Sequence, residues 1–234
     1  MARRVLVTRP EPGASATAAR LADLGYEPVV LPLTKIVPVD PVALPGAFDA
    51  VVVSSANGFR CASPEIRAAI AGKPLFVVGR RTAEAAGRAV DHVAPDAATL
   101  VRDLGQVLSP RSRIVHVCGR VRRPELKVGL EACGHRVTEI EVYDAVPTAW
   151  NESEIGTKAG SEPLWAALVY SQRGGELLGD IVARERLQDL FRQTTFVCIS
   201  IDAARVLRAM DRTIMIAASP DEAAMLDLLG GIDA

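Results

Sequence analysis

The stretch Ala50-Val51-Val52-Val53-Ser54-Ser55-Ala56-Asn57-Gly58-Phe59 decides the fold. A short, unbroken apolar run that gives way to small polar residues reads as a strand buried on both faces and turning into a helix. The pattern recurs at Ala166-Ala167-Leu168-Val169-Tyr170-Ser171-Gln172-Arg173-Gly174-Gly175. The sequel recurs as well: Leu75-Phe76-Val77-Val78-Gly79-Arg80-Arg81-Thr82 is answered by Phe196-Val197-Cys198-Ile199-Ser200-Ile201-Asp202-Ala203 at almost the same offset. Two βαβα units of one design predict two similar α/β lobes with a cleft between them.

Working outward, further strands are expected at residues 4–8, 92–95, 114–119 and 213–217, each leading through a polar or glycine turn toward a helical pattern. Apolar stripes at helical spacing fall on Thr17, Leu21 and Leu24, then on Ile66 and Ile70, and on Ala83, Ala86 and Val90. Leu100, Leu104 and Val107 form another, and Leu126, Leu130 and Cys133 one more, closed by Gly134. A last helix is expected over 221–229, and 151–162 is expected to be a loop or short helix. Strict alternation of β and α elements predicts an α/β protein of two doubly wound, mainly parallel-sheet domains.

Two extended segments, 27–38 and 136–147, are too long for ordinary strands of a small sheet, and they bracket the middle of the chain. They are expected to carry the chain out of one domain and back. Residues 1–35 and 147–234 then form a discontinuous domain, 40–140 an inserted one, and the linkers lie near 36–39 and 141–146. A single N-terminal βα unit cannot bury its own apolar face, so it must join the C-terminal strands.

The chain has 234 residues, 49% of them hydrophobic, which is enough apolar surface for two cores. Aromatic residues make up only 4% and the formal net charge is −1, a composition that argues against a nucleic-acid stacking surface or a general polyanion binder. An acidic ligand must then be met by local arginines. Met1-Ala2-Arg3-Arg4 runs straight into a strand without a signal segment, and no apolar run reaches membrane-spanning length. Cys61, Cys118, Cys133 and Cys198 form no Cys-x-x-Cys pair and read as reduced core residues of a cytoplasmic protein. His92, His116 and His135 lack metal-ligand spacing, so no metal is expected.

In doubly wound sheets ligands bind beyond the carboxyl ends of the strands, where helix N-termini present backbone N–H groups. By position the candidates are Thr8 and Arg9; Ser54, Ser55 and Asn57; Gly79, Arg80 and Thr82; Gly119 and Arg123; and Ser171 and Arg173. Against each stands a plainer reading, in which Ser, Thr and Asn are helix caps. Arg80-Arg81 and Arg120, Arg122 and Arg123 follow glycines at strand ends, where guanidinium groups suit carboxylates and phosphates. The chain has no Gly-x-Gly-x-x-Gly, Walker loop or Gly-x-Ser-x-Gly elbow, which removes support from dinucleotide, P-loop and nucleophilic mechanisms. Tyr143, in the returning segment, is either a proton donor to a leaving group or a hinge tyrosine packed on its ring.

Taken in order, Val5-Leu6-Val7-Thr8-Arg9-Pro10, Leu31-Pro32-Leu33, Val53-Ser54-Ser55-Ala56-Asn57, Val77-Val78-Gly79-Arg80-Arg81-Thr82-Ala83, Cys118-Gly119 with Arg123 and Leu126, Val142-Tyr143 and Tyr170-Ser171 resemble the uroporphyrinogen-III synthases. The resemblance spans nearly the whole chain. It implies two α/β domains joined by a two-stranded β connection, and a hydro-lyase that cyclises hydroxymethylbilane with loss of water and inversion of the last pyrrole ring. It also implies no cofactor or metal, a monomer in tetrapyrrole biosynthesis, and a transient contact with hydroxymethylbilane synthase. Tyr143 matches the family's tyrosine that assists departure of the hydroxyl. Ser200-Ile201-Asp202-Ala203-Ala204 stands where the family usually has Gly-Pro-x-Thr-Ala, which leaves open an alternative: a catalytically weakened paralogue acting as a two-lobed small-anion binding or sensor protein.

Overall fold

A computed structural model of the protein describes residues 3–40, 43–210 and 212–232. The chain opens with β1 (Arg4–Val7), α1 (Gly13–Asp23) and β2 (Glu27–Val30), and β3 (Thr34–Pro38) then leads into the middle region. There follow β4 (Ala50–Val53), α2 (Ala56–Cys61), α3 (Pro64–Ile70), β5 (Leu75–Val78), α4 (Arg80–Ala85) and β6 (His92–Ala94). Next come α5 (Ala97–Val107), β7 (Arg113–Gly119), α6 (Glu125–Ala132) and the long β8 (Arg136–Pro147). The remainder consists of α7 (Glu152–Ala159), β9 (Ala166–Val169), α8 (Gln172–Val182), α9 (Gln188–Phe191), β10 (Thr195–Cys198), α10 (Ile201–Arg208), β11 (Ile214–Ile216) and α11 (Glu222–Leu229).

These elements divide into two compact units, one comprising the chain up to Lys35 and from Val146 onward, the other Ile36–Ala145. The first holds a five-stranded sheet in the order β11-β10-β9-β1-β2, with parallel pairs throughout. A six-stranded sheet, β3-β8-β7-β4-β5-β6, is parallel from β8 to β6. At its edge β3 and β8 run in opposite directions, as the bonds from Thr148 N–H to Leu33 C=O (2.9 Å) and from Val39 N–H to Val142 C=O (3.1 Å) require.

The apolar runs are continuous because both faces of each sheet are covered by helices. Leu6 points into one layer of the first unit, with Leu31, Leu178 and Phe196. Val5 and Val7 point into the other, with Leu21, Met225 and Leu229. All three β1 residues are fully buried, and each such side chain contributes about 1.5–3 kcal/mol. The second unit repeats the plan, with Val51, Val53, Val115 and Val117 on one face and Ala50, Val52, Ile114 and Leu100 on the other.

Several expectations are corrected. The segment 27–38 is not one extended run: it splits at Leu31–Leu33 into β2 and β3, because Pro32 lacks the N–H a continuing ladder needs. The 136–147 segment is one strand of 12 residues. Thr17 and Leu21 are buried as the stripe predicts, but Leu24 is the C-cap of α1 and is exposed. Val107 ends α5 exposed, and Val90 lies beyond the end of the short α4. Of the cysteines, Cys118 and Cys198 are buried, whereas Cys133, at the C-cap of α6, is exposed.

Candidate active site

In both sheets the direction of strand succession reverses once, and the carboxyl ends at that reversal are the places a ligand reaches backbone amides. The reversal falls between β9 and β1 in the first unit and between β4 and β7 in the second. Each end is built from different chemistry.

In the first unit the residues are largely engaged with one another. The Thr8 hydroxyl is buried and donates to the Leu168 carbonyl at 2.6 Å, tying β1 to β9. Arg9 lies over the Tyr170 ring with its guanidinium carbon 4.6 Å from the centroid, and its Nη1 donates to Glu222 Oε1 at 3.1 Å. Buried Glu222 also accepts from the Thr17 hydroxyl and the Arg20 guanidinium. The expectation that Arg9 offers a ready anion contact therefore meets a structural reason for its presence: two cations hold one buried carboxylate. Ser171 caps α8 by accepting from Gly174 N–H at 3.0 Å, and Arg173 is half-buried in the first turn of that helix. Ser200 likewise caps α10, with Asp202 in its first turn, so that carboxylate complements the helix dipole.

The second unit offers a richer arrangement. Ser54 and Ser55 lie just beyond β4, whose last residue is Val53, and continue its alternation, Ser54 toward His116 and Ser55 toward Tyr143 on the other face. Ser55 caps α2, accepting from Asn57 N–H at 3.3 Å, and Asn57 occupies the first turn of that helix. At the end of β5, Gly79 adopts φ 83° as the N-cap of α4, a conformation that favours glycine, and its N–H donates to Ala94 C=O at 2.8 Å. Thr82 is buried behind it, and Arg80 projects outward, 92% exposed and 3.5 Å from Glu84. Arg123 is exposed on the loop after β7.

Tyr143 sits opposite Gly119 across the β7–β8 ladder, at an irregularity that shifts the register between Cys118 and Gly119. Its ring packs against the apolar face carrying Val53 and Val117, and burial raises the phenol's pKa while the nearby Ser55 hydroxyl pulls the other way. The phenol is thus protonated throughout the neutral range. The ring is packed against the core, and the phenol keeps its proton beside the end of β7.

On the opposite face lies a chain of polar contacts that the sequence did not reveal. Ser54 Oγ is 2.9 Å from His116 Nε2. His116 Nδ1 faces Glu139 Oε1 at 3.6 Å, beyond hydrogen-bonding distance, and has no hydrogen-bond partner. Glu139 is clamped by Arg122, whose Nε and Nη2 each reach a carboxylate oxygen at 2.8 Å. Arg122 Nη1 continues to Glu141 Oε1 at 2.8 Å and to the Gly119 carbonyl at 2.9 Å. Arg122, singled out by sequence as facing an acidic ligand, is instead held by two acidic residues of β8. This clamp lowers the pKa of Glu139 and keeps it ionised. Burial pushes the His116 imidazole down to about 4, so it is neutral at physiological pH. The one signal in the sequence was the polar period of His116 with Cys118 and of Glu139 with Glu141 within otherwise apolar strands.

His116, Cys118 and Glu139 also bring a nitrogen, a sulfur and a carboxylate oxygen within 4.8 Å of one another, a metal-type set that spacing along the chain did not indicate. Its charges do not suit a cation. Glu139 already faces Arg122 and, at 3.7 Å, Lys127 Nζ, and burial pushes the Cys118 thiol up to about 12.

The chain matches the family model described as uroporphyrinogen-III synthase HemD over residues 15–227. Among solved structures it is similar to the uroporphyrinogen-III synthetase of Helicobacter pylori 26695, with 17% identity over 99% of this chain and 100% of that one, at a TM-score of 0.70. A mutant uroporphyrinogen III synthase of the extremely thermophilic bacterium Thermus thermophilus matches with 17% identity over 98% of each chain, at a TM-score of 0.54. At that identity the two structures speak for the fold. No curated protein matches.

Proposed function

Because the chain belongs to the uroporphyrinogen-III synthase family, we propose that it closes hydroxymethylbilane to uroporphyrinogen III, releasing water and inverting the last pyrrole ring. The observation that supports this most directly is the placement of Tyr143: a protonated phenol, its pKa raised by burial, within β8 and against Gly119 at the end of β7. In the proposed step the C–O bond of the terminal hydroxymethyl group breaks and Tyr143 passes its proton to the departing oxygen, which leaves as water. The pyrrole nitrogen supplies the electron pair and the ring becomes an azafulvenium. The substituted α-carbon of the last pyrrole bonds to the azafulvenium methylene to give a spiro intermediate. The bond from that carbon to its original methylene bridge then breaks, leaving an azafulvenium on the neighbouring ring. The free α-carbon of the now inverted ring closes onto that bridge, and its shed proton restores the phenol. Atoms balance as substrate minus water.

A substrate with eight carboxylates requires donors. In this reading the capping Ser171 keeps its own hydroxyl proton free to give, since as a cap it acts as an acceptor, whereas the Ser55 hydroxyl is turned toward the Tyr143 phenol. Arg80 and Arg123 supply exposed positive charge near two strand ends. Their part is to hold the linear chain so that inverted closure outruns the spontaneous reaction. We place the enzyme among the hydro-lyases of tetrapyrrole synthesis and, since its cysteines are unpaired, in a reducing cytoplasm.

Isomer analysis tests this. Freshly generated hydroxymethylbilane incubated with the protein should yield, after oxidation, the type III porphyrin without added cofactor. Products that stay type I at every protein concentration would overturn the proposal.

A further inference from the structure

Ser54 differs from the other strand-end hydroxyls in what happens to its proton. Ser55 and Ser171 accept backbone N–H bonds, which leaves their O–H groups pointing elsewhere. Ser54 is bonded instead to the imidazole of His116, and the direction of that bond depends on which ring nitrogen carries hydrogen.

The surroundings of His116 settle the direction. Its Nδ1 faces the ionised carboxylate of Glu139 at 3.6 Å, with no other polar partner. An N–H dipole aimed at an anion is attractive, whereas a lone pair aimed at it is repulsive. The hydrogen therefore sits on Nδ1, and Nε2 must accept from Ser54 Oγ–H. The Arg122 fork fixes Glu139 in turn, and parallel pairing places His116 beside Glu139 on β8 and beside Val52 on β4, two residues before Ser54. The His116 ring is 2% exposed, so its position is set by the core.

We propose that His116 is a positioning residue that commits the Ser54 proton inward, so that Ser54 presents an acceptor oxygen to a pyrrole N–H of the tetrapyrrole rather than a donor to one of its carboxylates. This rests on the reaction proposed above and deepens it. A pyrrole N–H is the complementary donor on such a substrate, and it becomes a stronger one as the ring takes on azafulvenium charge. Acceptance from it favours the transition state over the ground state. Ser54 would touch substrate; His116, Glu139 and Arg122 act through it.

Two measurements on the whole protein test the inference. Nitrogen-15 NMR of the labelled protein at pH 7, with His92→Gln and His135→Gln used to assign the remaining imidazole, reads the tautomer directly and needs no His116 variant. Protonation at Nδ1 is expected; protonation at Nε2 would turn Ser54 into an outward donor and overturn the inference. The second is a cycle of Ser54→Ala, His116→Leu and the double variant with hydroxymethylbilane. Each single change should lower kcat/KM about tenfold, mainly through kcat, the size of one lost hydrogen bond to a group gaining charge. The double variant should fall no further. A roughly hundredfold loss, with the two factors multiplying, would mean that His116 acts independently of Ser54 and would sink the proposal. If His116→Leu fails to fold, the NMR result decides alone. Failure of the parent to form type III product would count against the reaction, while the tautomer still reports on Ser54.

Discussion

Tyr143 lies so close to Gly119 that a methyl group built on the glycine would stand 2.5 Å from Cε2 of the ring and 3.0 Å from its hydroxyl oxygen. Real carbon–carbon contacts do not come that near, so the ring occupies the space a side chain at 119 would fill. The glycine is the reason the phenol rests at the β7 strand end. Gly119→Ala should force the ring out, lowering turnover at least tenfold at a stability cost of about 1–3 kcal/mol. Steady-state kinetics beside thermal melts would show it; unchanged kcat with a displaced ring would separate the phenol from the chemistry.

Tyr143→Phe removes the proton and leaves the packing. Turnover should fall by about ten- to a hundredfold with the melting temperature little changed. A rate within twofold of the parent would reduce Tyr143 to a packing residue.

His116 makes stability depend on pH. Its imidazole titrates near 6.5 when unfolded and at about 4 when folded, so between those values the unfolded chain binds the extra proton. Stability is then undiminished above pH 6.5 and falls as pH drops toward 4, by up to about 3 kcal/mol at roughly 1.4 kcal/mol per tenfold change. Ionised Glu139 opposes the effect, Arg122 reinforces it, and protonating Glu139 costs further stability at still lower pH. Urea titrations at about pH 7 and about pH 4.5 should show a clear loss in the parent and a smaller one in His116→Leu; equal losses would remove His116 as the source.

Arg122 holds Glu139 through a two-pronged contact that is largely shielded, and Glu141 at a more exposed site. Arg122→Met should cost about 1–2 kcal/mol, the larger share from the Glu139 bonds, since exposed pairs are weakened by water. Chemical denaturation at low and high salt checks this: a penalty that vanishes in salt would mean the pair acts only as a surface bridge.

Glu222 gathers Arg9, Arg20 and Thr17, and Arg9 also covers Tyr170. Glu222→Gln and Arg9→Met should each destabilise by about 1–3 kcal/mol, and the double variant by less than their sum, because each removes the other's partner. Strict additivity in equilibrium melts would show that Arg9 does not depend on Glu222.

The sequence by itself determined the α/β class, the parallel sheets and the polar strand ends. Those are local matters: a strand covered on both faces must be apolar at every position, as Val51–Val53 and Ala166–Val169 are, and the polar residue two positions beyond caps the next helix, as Ser55 and Ser171 do. Where local pattern met the end of an element it misled, since Leu24 and Val107 keep helical spacing yet lie where the helix leaves its sheet. Only the tertiary structure decided what each polar group does. Ser54 and His116 are 62 positions apart and meet because β4 and β7 pair in one register, and Glu139 joins them because β8 pairs with β7 in another. A slip of one residue in either ladder would turn the imidazole to the opposite face. The same holds for Arg9 and Arg122, which look like free cations along the chain and are tied to Glu222 and Glu139 in space. Composition records that a charge is present, but its partner is set by register and packing between segments far apart in sequence.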